Sequence, residues 1–144
     1  MIYTKMTKKA MKIAYKAHEG QVDKSGMPYI FHPFHVAEQM EDEFSTTAAL
    51  LHDAVEDTGI TLSELEKEGF PEEVLIAVRL LTRKRKTPYL DYIKEVKTNA
   101  IAAKVKLVDI EHNSDVNRLD KVTKKDKERL ALYAQAMEIL KSGV

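Results

Sequence analysis

Apolar residues recur at helical spacing almost from end to end of this 144-residue chain, and no alternating apolar/polar run is long enough for a strand. That pattern predicts an all-α fold. Met6, Ala10, Ile13, Ala14 and Ala17 lie on one face of a first helix, which Gly20 ends. A loop follows, with Ser25-Gly26 and Met27-Pro28 as turn signals. Pro33 suits the first position of a second helix carrying Val36, Ala37 and Met40. Ser45 is expected to cap the helix TTAALLHDAVED, whose small apolar residues point to burial and which Thr58-Gly59 stops. Thr61 with Glu64 has the pattern of a capping box for a short helix ending at Gly69. Pro71 opens a helix with Val74, Ala77, Val78 and Leu81 on one face. Thr87-Pro88 begins another, with Leu90, Ile93 and Val96 inward or partly so. Asn99 caps a third through Ile101, Val105 and Val108. Residues 113–122 are polar and irregular, and a last helix packs over about 123–141 with Leu130, Tyr133, Ala134, Met137 and Leu140 as its stripe. The expectation is one domain, residues 1–144, built as a bundle of about seven or eight helices.

Composition narrows what such a bundle does. The chain has no Cys, which excludes a disulfide framework, an iron–sulfur cluster and a thiolate zinc site. No apolar run approaches the ~20 residues of a membrane span. The first twenty residues carry charges throughout, unlike a secretory signal, so a cytoplasmic location is expected. Equal numbers of basic and acidic residues, 23 each, argue against binding an extended polyanion such as nucleic acid or an anionic membrane. The neutrality is not uniform, however. Residues 1–37 carry +4, residues 38–73 carry −11 and residues 74–144 carry +7. An acidic middle between basic flanks is either a solvated helix pair or a cation site facing a rim that accepts an anion.

Four residues are candidate metal ligands: His32 before Pro33, the pair His52-Asp53, and the distant Asp109. Imidazole with carboxylate suits a divalent ion such as Mn²⁺, Fe²⁺ or Zn²⁺. An isolated HD dipeptide carries almost no information, since a single His on an apolar helix is usually a packed or surface residue. The context AALLHDAV changes the odds, because a carboxylate there is partly buried, and buried charges are usually paired or metal-bound. Neighbours on an ideal helix diverge by ~100°, so one ion has to sit over the helix edge to meet both. Glu56 stands one turn after His52, and Asp57 one turn after Asp53. Both carboxylates are placed to orient or deprotonate a water on the ion.

The ordered set GMPYIFHPFHVAEQM, TTAALLHDAVEDT and VKLVDIEHN resembles the HD-type metal-dependent phosphohydrolases. More narrowly, it is similar to the hydrolase domain of RelA/SpoT proteins and their small single-domain relatives, over about residues 14–118. The resemblance implies an HD-domain helical bundle with one divalent ion, commonly Mn²⁺, that removes pyrophosphate from the 3′ position of the alarmones ppGpp and pppGpp. On this chain it implies His32, His52, Asp53 and Asp109 as metal ligands. Glu56 and Asp57 would be the catalytic pair, and Lys24 and Asn113 would contact the guanosine polyphosphate. A synthetase activity is not expected at this length.

The sequence also departs from that pattern. Asp23-Lys24 stands where the family usually has Arg-Lys, the Arg holding the base. VDIEHN replaces the common ADRLHN, with Ile110 and Glu111 for Arg and Leu, and the following segment reads SDVNRL. These changes spare the metal and attack residues and fall on the substrate pocket. Two other readings therefore stay open: the same chemistry on another nucleotide or phosphoester, and a nucleotide-sensing module without turnover. Roles are also open for His18 (helix capping or phosphate contact), His35 (packing or support of a ligand), and His112. The basic run Arg83 to Lys86 is either solvated or grips phosphate.

Overall fold

The computed structural model describes residues 1–142. Its helices start where a side chain can serve the free N–H groups of a first turn. Thr4 caps α1 (Lys5–Ala17), Asp42 caps α3 (Glu43–Leu51), and Thr61 caps α5 (Leu62–Lys67). Asn99 caps α8 (Ala100–Asn113), and Thr123 with Asp126 forms a full capping box on α9 (Lys124–Lys141). Pro71 and Pro88 precede α6 (Glu72–Leu81) and α7 (Tyr89–Lys97). Helix α2 (Phe31–Glu38) starts two residues before Pro33, which sits in the first turn where its missing N–H still leaves no bond unmade. Gly20 and Gly69, the sequence-predicted stops, take φ +84° and +89°, a conformation that favours glycine.

The all-α reading holds. The described residues form nine α-helices, two of them only four and six residues long, plus a 3₁₀ turn at Val116–Arg118. Extended pairing among the described residues is limited to one isolated bridge between Val22 and Pro28. No helix there is long and apolar enough to cross a membrane.

Helix α3 lies at the centre, packed by α1, α2, α6 and α8. Its residues Ser45 to Leu51 are all buried. Small side chains allow that close packing, and the buried hydroxyls are satisfied locally. Thr46 Oγ1 donates to Asp42 O at 2.7 Å and Thr47 Oγ1 to Glu43 O at 2.8 Å. The cap is Asp42 rather than Ser45: its carboxylate accepts from Ser45 N at 2.8 Å. Those hydrogen bonds, opposed by burial and joined by Lys104, hold the Asp42 pKa below its ordinary 3.8. Asp42→Ala is expected to lower stability by about 1 kcal/mol, the usual worth of an N-cap. A lowered carboxyl pKa stabilises above the unfolded value, so the gap from wild type should close as pH falls below 3.8. Urea midpoints at pH 7 and at acid pH measure it.

The expected continuous helix TTAALLHDAVED is interrupted. α3 ends at Leu51, His52 and Asp53 form a turn, and α4 (Ala54–Asp57) restarts beyond them. Helix α9 packs on α7 and α8 through Ala136 and Leu140, while Ala134 of the predicted stripe faces solvent. Tyr133 and Leu130, nearer the start of α9, are half-buried because they wall a cavity, Tyr133 also packing against the core.

Candidate functional site

The turn at His52-Asp53 brings both side chains to one point. There they meet His32 from α2 and Asp109 from α8, and all four offer ligand atoms within 4.8 Å of one another. His32 Nε2 lies 2.7 Å from Asp109 Oδ1 and 3.7 Å from Asp53 Oδ2. His52 Nε2 lies 3.0 Å from Asp53 Oδ2 and 3.5 Å from Asp109 Oδ1. All four predicted ligands are therefore assembled, with His52 and Asp53 adjacent in the turn between α3 and α4.

The hydrogen-bonding chemistry of these donors fits a cation. His52 Nδ1 lies 2.5 Å from Ala49 O, which can only accept, so Nδ1 carries the proton. The remaining lone pair is on Nε2, a buried atom with no hydrogen-bond partner that faces two carboxylates. A lone pair and two anionic oxygens converging on one point call for positive charge between them. A proton competes for the same atom. Burial lowers the His52 pKa, but Asp53 and Asp109 outweigh it and raise it well above 6.5. Burial likewise raises Asp53, while His52 and His32 hold it down at about 2.

A surrounding layer orients the ligands. Tyr29 Oη donates to Asp53 Oδ2 at 2.6 Å. Burial and the Asp53 carboxylate raise the Tyr29 pKa far above 10, which keeps it a donor. Asn113 Nδ2 donates to Asp109 Oδ1 at 3.0 Å and Lys106 Nζ to Asp109 Oδ2 at 2.7 Å. Burial pushes Asp109 up, and Lys106, the hydrogen bond from His32 and the nearby His52 ring bring it well below 3.8. His32 Nδ1 lies 2.7 Å from His112 Nδ1, and the two rings stack. Burial, Arg118, His32 and His35 together hold His112 down at about 4, so its ring is neutral and can accept that bond. His35 stacks on the far face of His112, with ring centroids 3.9 Å apart. His18 is the C-cap residue of α1; it is buried with its ring 5.1 Å from that of Tyr29, and its Nδ1 lies 2.6 Å from Gln21 Oε1.

The other predicted residues surround the cluster. Glu56 and Asp57 end α4 on the exposed rim. Partial burial and repulsion from neighbouring carboxylates raise both pKa values. Lys24 and Asn113 line one cavity of about 320 Å³, together with Tyr29, Arg118 and Tyr133. Lys24 is anchored there by Asp126 at 3.0 Å. Asp23 points into its own loop, accepting from Ser25 N and Met27 N, and pairs with Arg118 at 3.8 Å. The basic run is exposed throughout, and its Arg83 lines a second cavity.

Sequence reasoning missed Lys106, Arg118, Asp126 and Arg129. Lys106 stands three residues before Asp109, a spacing that shares a helix face. The pattern Thr123-x-x-Asp126 has the spacing of a capping box, which is the signal that marks Asp126.

Residues 10–137 match the family described as HD domain. The chain belongs to the HD-domain family. It is 34% identical over 141 residues to a guanosine-3′,5′-bis(diphosphate) 3′-pyrophosphohydrolase of Aquifex aeolicus, covering 88% of this chain and 20% of that protein. Identity to the protein of the same name from Borreliella burgdorferi is 43% over 79 residues, 52% of this chain and 12% of that one. A GTP pyrophosphokinase of Streptomyces coelicolor is 35% identical over 142 residues, 88% of this chain and 17% of that one. The HD domain thus spans a fifth or less of the length of these relatives. Its fold is shared with a solved metazoan ortholog of SpoT, described as hydrolysing ppGpp, at TM-score 0.78 and 23% identity, over 99% of this chain and 89% of that one.

Proposed function

We propose that this HD domain removes the 3′-diphosphate of (p)ppGpp-like guanosine polyphosphates, using one divalent ion, Mn²⁺ in the first instance. The observation that carries the reading is the buried His₂Asp₂ cluster beside a cavity lined by Lys24, Tyr29 and Asn113, of which Tyr29 bonds to Asp53 and Asn113 to Asp109. His32, His52, Asp53 and Asp109 would hold the ion, which when bound polarises a phosphoryl oxygen and acidifies water. Glu56 and Asp57 take the role of orienting the attacking water and accepting its proton. The water oxygen bonds to the phosphorus attached to O3′, the P–O3′ bond breaks, and one water proton passes to O3′. Lys24 and Asn113 hold the nucleotide. The pyrophosphohydrolase names of two relatives support hydrolysis, and the pyrophosphokinase name belongs to a far longer protein. Asp23 does not strip the cavity of its guanidinium, because Arg118 lies against it from the 3₁₀ turn. We also assign the whole chain to one HD unit with its motif core at about 14–118, since one apolar core joins α1 to α9.

Purified protein with Mn²⁺ and ppGpp is expected to yield GDP and pyrophosphate. Absence of both products, with wild type and Asp53→Ala binding Mn²⁺ equally, overturns the reading. A second test follows from His112. With Nε2 given to the ion, His32 donates Nδ1–H to His112 Nδ1, which fixes the ring. His112→Ala should weaken Mn²⁺ binding by about 10–100-fold, the usual worth of such a partner. His112→Asn, which keeps an acceptor near that position, should recover most of the loss in a calorimetric titration.

A further inference from the structure

The last carbonyls of a helix have no partner inside it, and a helix of one turn has few bonds of its own to hold its end. Helix α4 is such a case, four residues long and ending on Asp57. Asp57 N donates to Asp53 O at 2.9 Å and Thr58 N to Ala54 O at 3.1 Å, which closes its single turn. The Asp57 carbonyl takes its hydrogen bond from outside. Gln21 Nε2 donates to Asp57 O at 2.9 Å, across 36 residues of sequence.

Gln21 is itself held at every polar group. Its N donates to His18 O at 3.0 Å, and its O accepts from Tyr29 N at 2.9 Å. The bonding also fixes which way its side-chain amide faces. Asp57 O can only accept, so the NH₂ end of the amide meets it and Oε1 meets His18 Nδ1, 2.6 Å away. Oε1 likewise only accepts, so Nδ1 carries the proton. The other ring nitrogen, Nε2, is buried and bonded to nothing among the described residues, so the hydrogen bond of this ring goes to Gln21. His18 is 2% exposed and lies against Tyr29, whose phenol donates to Asp53. The result is a strut, from His18 through Gln21 to Asp57 O, that ties the end of α1 to the end of α4.

We infer that Gln21 and His18 are positioning residues for the Glu56-Asp57 pair: Gln21 pins the end of α4 through the Asp57 carbonyl, and His18 pins the Gln21 amide. The inference rests on the hydrolytic reading above, which gives that pair the attacking water. The strut's bonds go to no member of the His32-His52-Asp53-Asp109 cluster, so it acts on the geometry of attack and leaves the ion alone. Rate is steep in such geometry, since a misplacement of about 1 Å costs up to ~100-fold.

Gln21→Met, which keeps the length of the side chain and loses both polar atoms, tests it. At saturating Mn²⁺, kcat on ppGpp should fall about 10–100-fold with KM changed by less than about threefold. Placed in Asp57→Asn, the same change should cost less than about twofold more, because a pair serving one water acts as a unit. Mn²⁺ affinity by calorimetry should stay within about twofold of wild type. Hydrogen exchange at the Asp57 and Thr58 amides of the Mn²⁺-loaded protein, without nucleotide, should quicken about fivefold, as for one lost hydrogen bond. His18→Asn, which keeps a donor near the Nδ1 position, should be at least about threefold faster on ppGpp than His18→Leu, which fills the space without one. Equal rates in those two variants remove His18 from the strut. A loss of rate from Gln21→Met as large in Asp57→Asn as in wild type, or unchanged exchange at the two amides, overturns the inference. If wild type makes no product from ppGpp, the hydrolytic reading fails, while quicker exchange in Gln21→Met still establishes the strut.

Discussion

Replacing Asp109 by alanine is expected to remove the bound cation, the activity and part of the stability in one step. Asp109 is buried, and its two oxygens serve four groups: His32, His52 and Asn113 on one, Lys106 on the other. Removing it takes one of four candidate ligands and also leaves the Lys106 ammonium without its anion. Burial pushes the Lys106 pKa down, and Asp109 is the first of the groups that raise it well above 10.5. A buried charge stripped of its partner costs about 3–5 kcal/mol. The Lys106 ammonium also lies over the Tyr92 ring, 5.2 Å from its centroid, which holds the side chain in place. Asp109→Ala should therefore lose Mn²⁺ binding by at least about 100-fold and unfold at lower urea, by about 3 kcal/mol. Asp53→Ala separates the two effects. Its carboxylate is 14% exposed and contacts no lysine within 4 Å, so metal and activity should fall with a smaller stability loss. Metal content by elemental analysis and urea midpoints on both variants decide the matter. Full Mn²⁺ occupancy in either variant removes that residue from the ligand set.

The cluster of four candidate ligands was legible in the sequence because its chemistry is rare. A His-Asp pair inside AALLHDAV has few other reasons to be there, and the spacing to Glu56 and Asp57 follows from one helical turn. Helix starts at Asn99 and Thr123 were legible for the same reason, since short polar side chains there have one local use. The break at His52-Asp53 was not legible. All its residues are compatible with a helix, and no Gly or Pro marks it. What holds the turn is one local bond, His52 Nδ1 to Ala49 O, and one from a distant segment, Tyr29 Oη to Asp53 Oδ2. The cap of α3 was misplaced by three residues because Asp42 and Ser45 are both good caps, and the two are bonded to one another. The basic run shows the limit of composition. Arg83 to Lys86 are one charge block in sequence, yet Arg83 lines a cavity, because the α6–α7 connection lets its side chain lie over Tyr89.

Glu56→Gln is expected to separate metal binding from turnover, the opposite signature to Asp109→Ala. Glu56 and Asp57 are not in the four-ligand cluster, so neither change should displace Mn²⁺. Both carboxylates have pKa values raised first by partial burial, then by carboxylate repulsion: Asp57 and Asp53 act on Glu56, and Asp53 on Asp57. Lys106 and the Arg83 backbone N–H pull Glu56 part of the way back. A carboxylate made more basic is a better proton acceptor at neutral pH. The side chains need only reach a water beside the cluster, and α4 starts from the turn that carries two of its members, His52 and Asp53. Losing a general base costs about 10²–10⁴ in kcat, with KM little changed if the group acts only on the water. Asp57→Asn should fall in the same range, and the double variant should fall little further than the worse single, since two groups serving one water act as a unit. Single-turnover rates on ppGpp at saturating Mn²⁺ measure kcat free of metal affinity. Retention of more than about half the wild-type rate in both single variants leaves the pair without a chemical role. A large KM increase at constant kcat makes them substrate contacts instead.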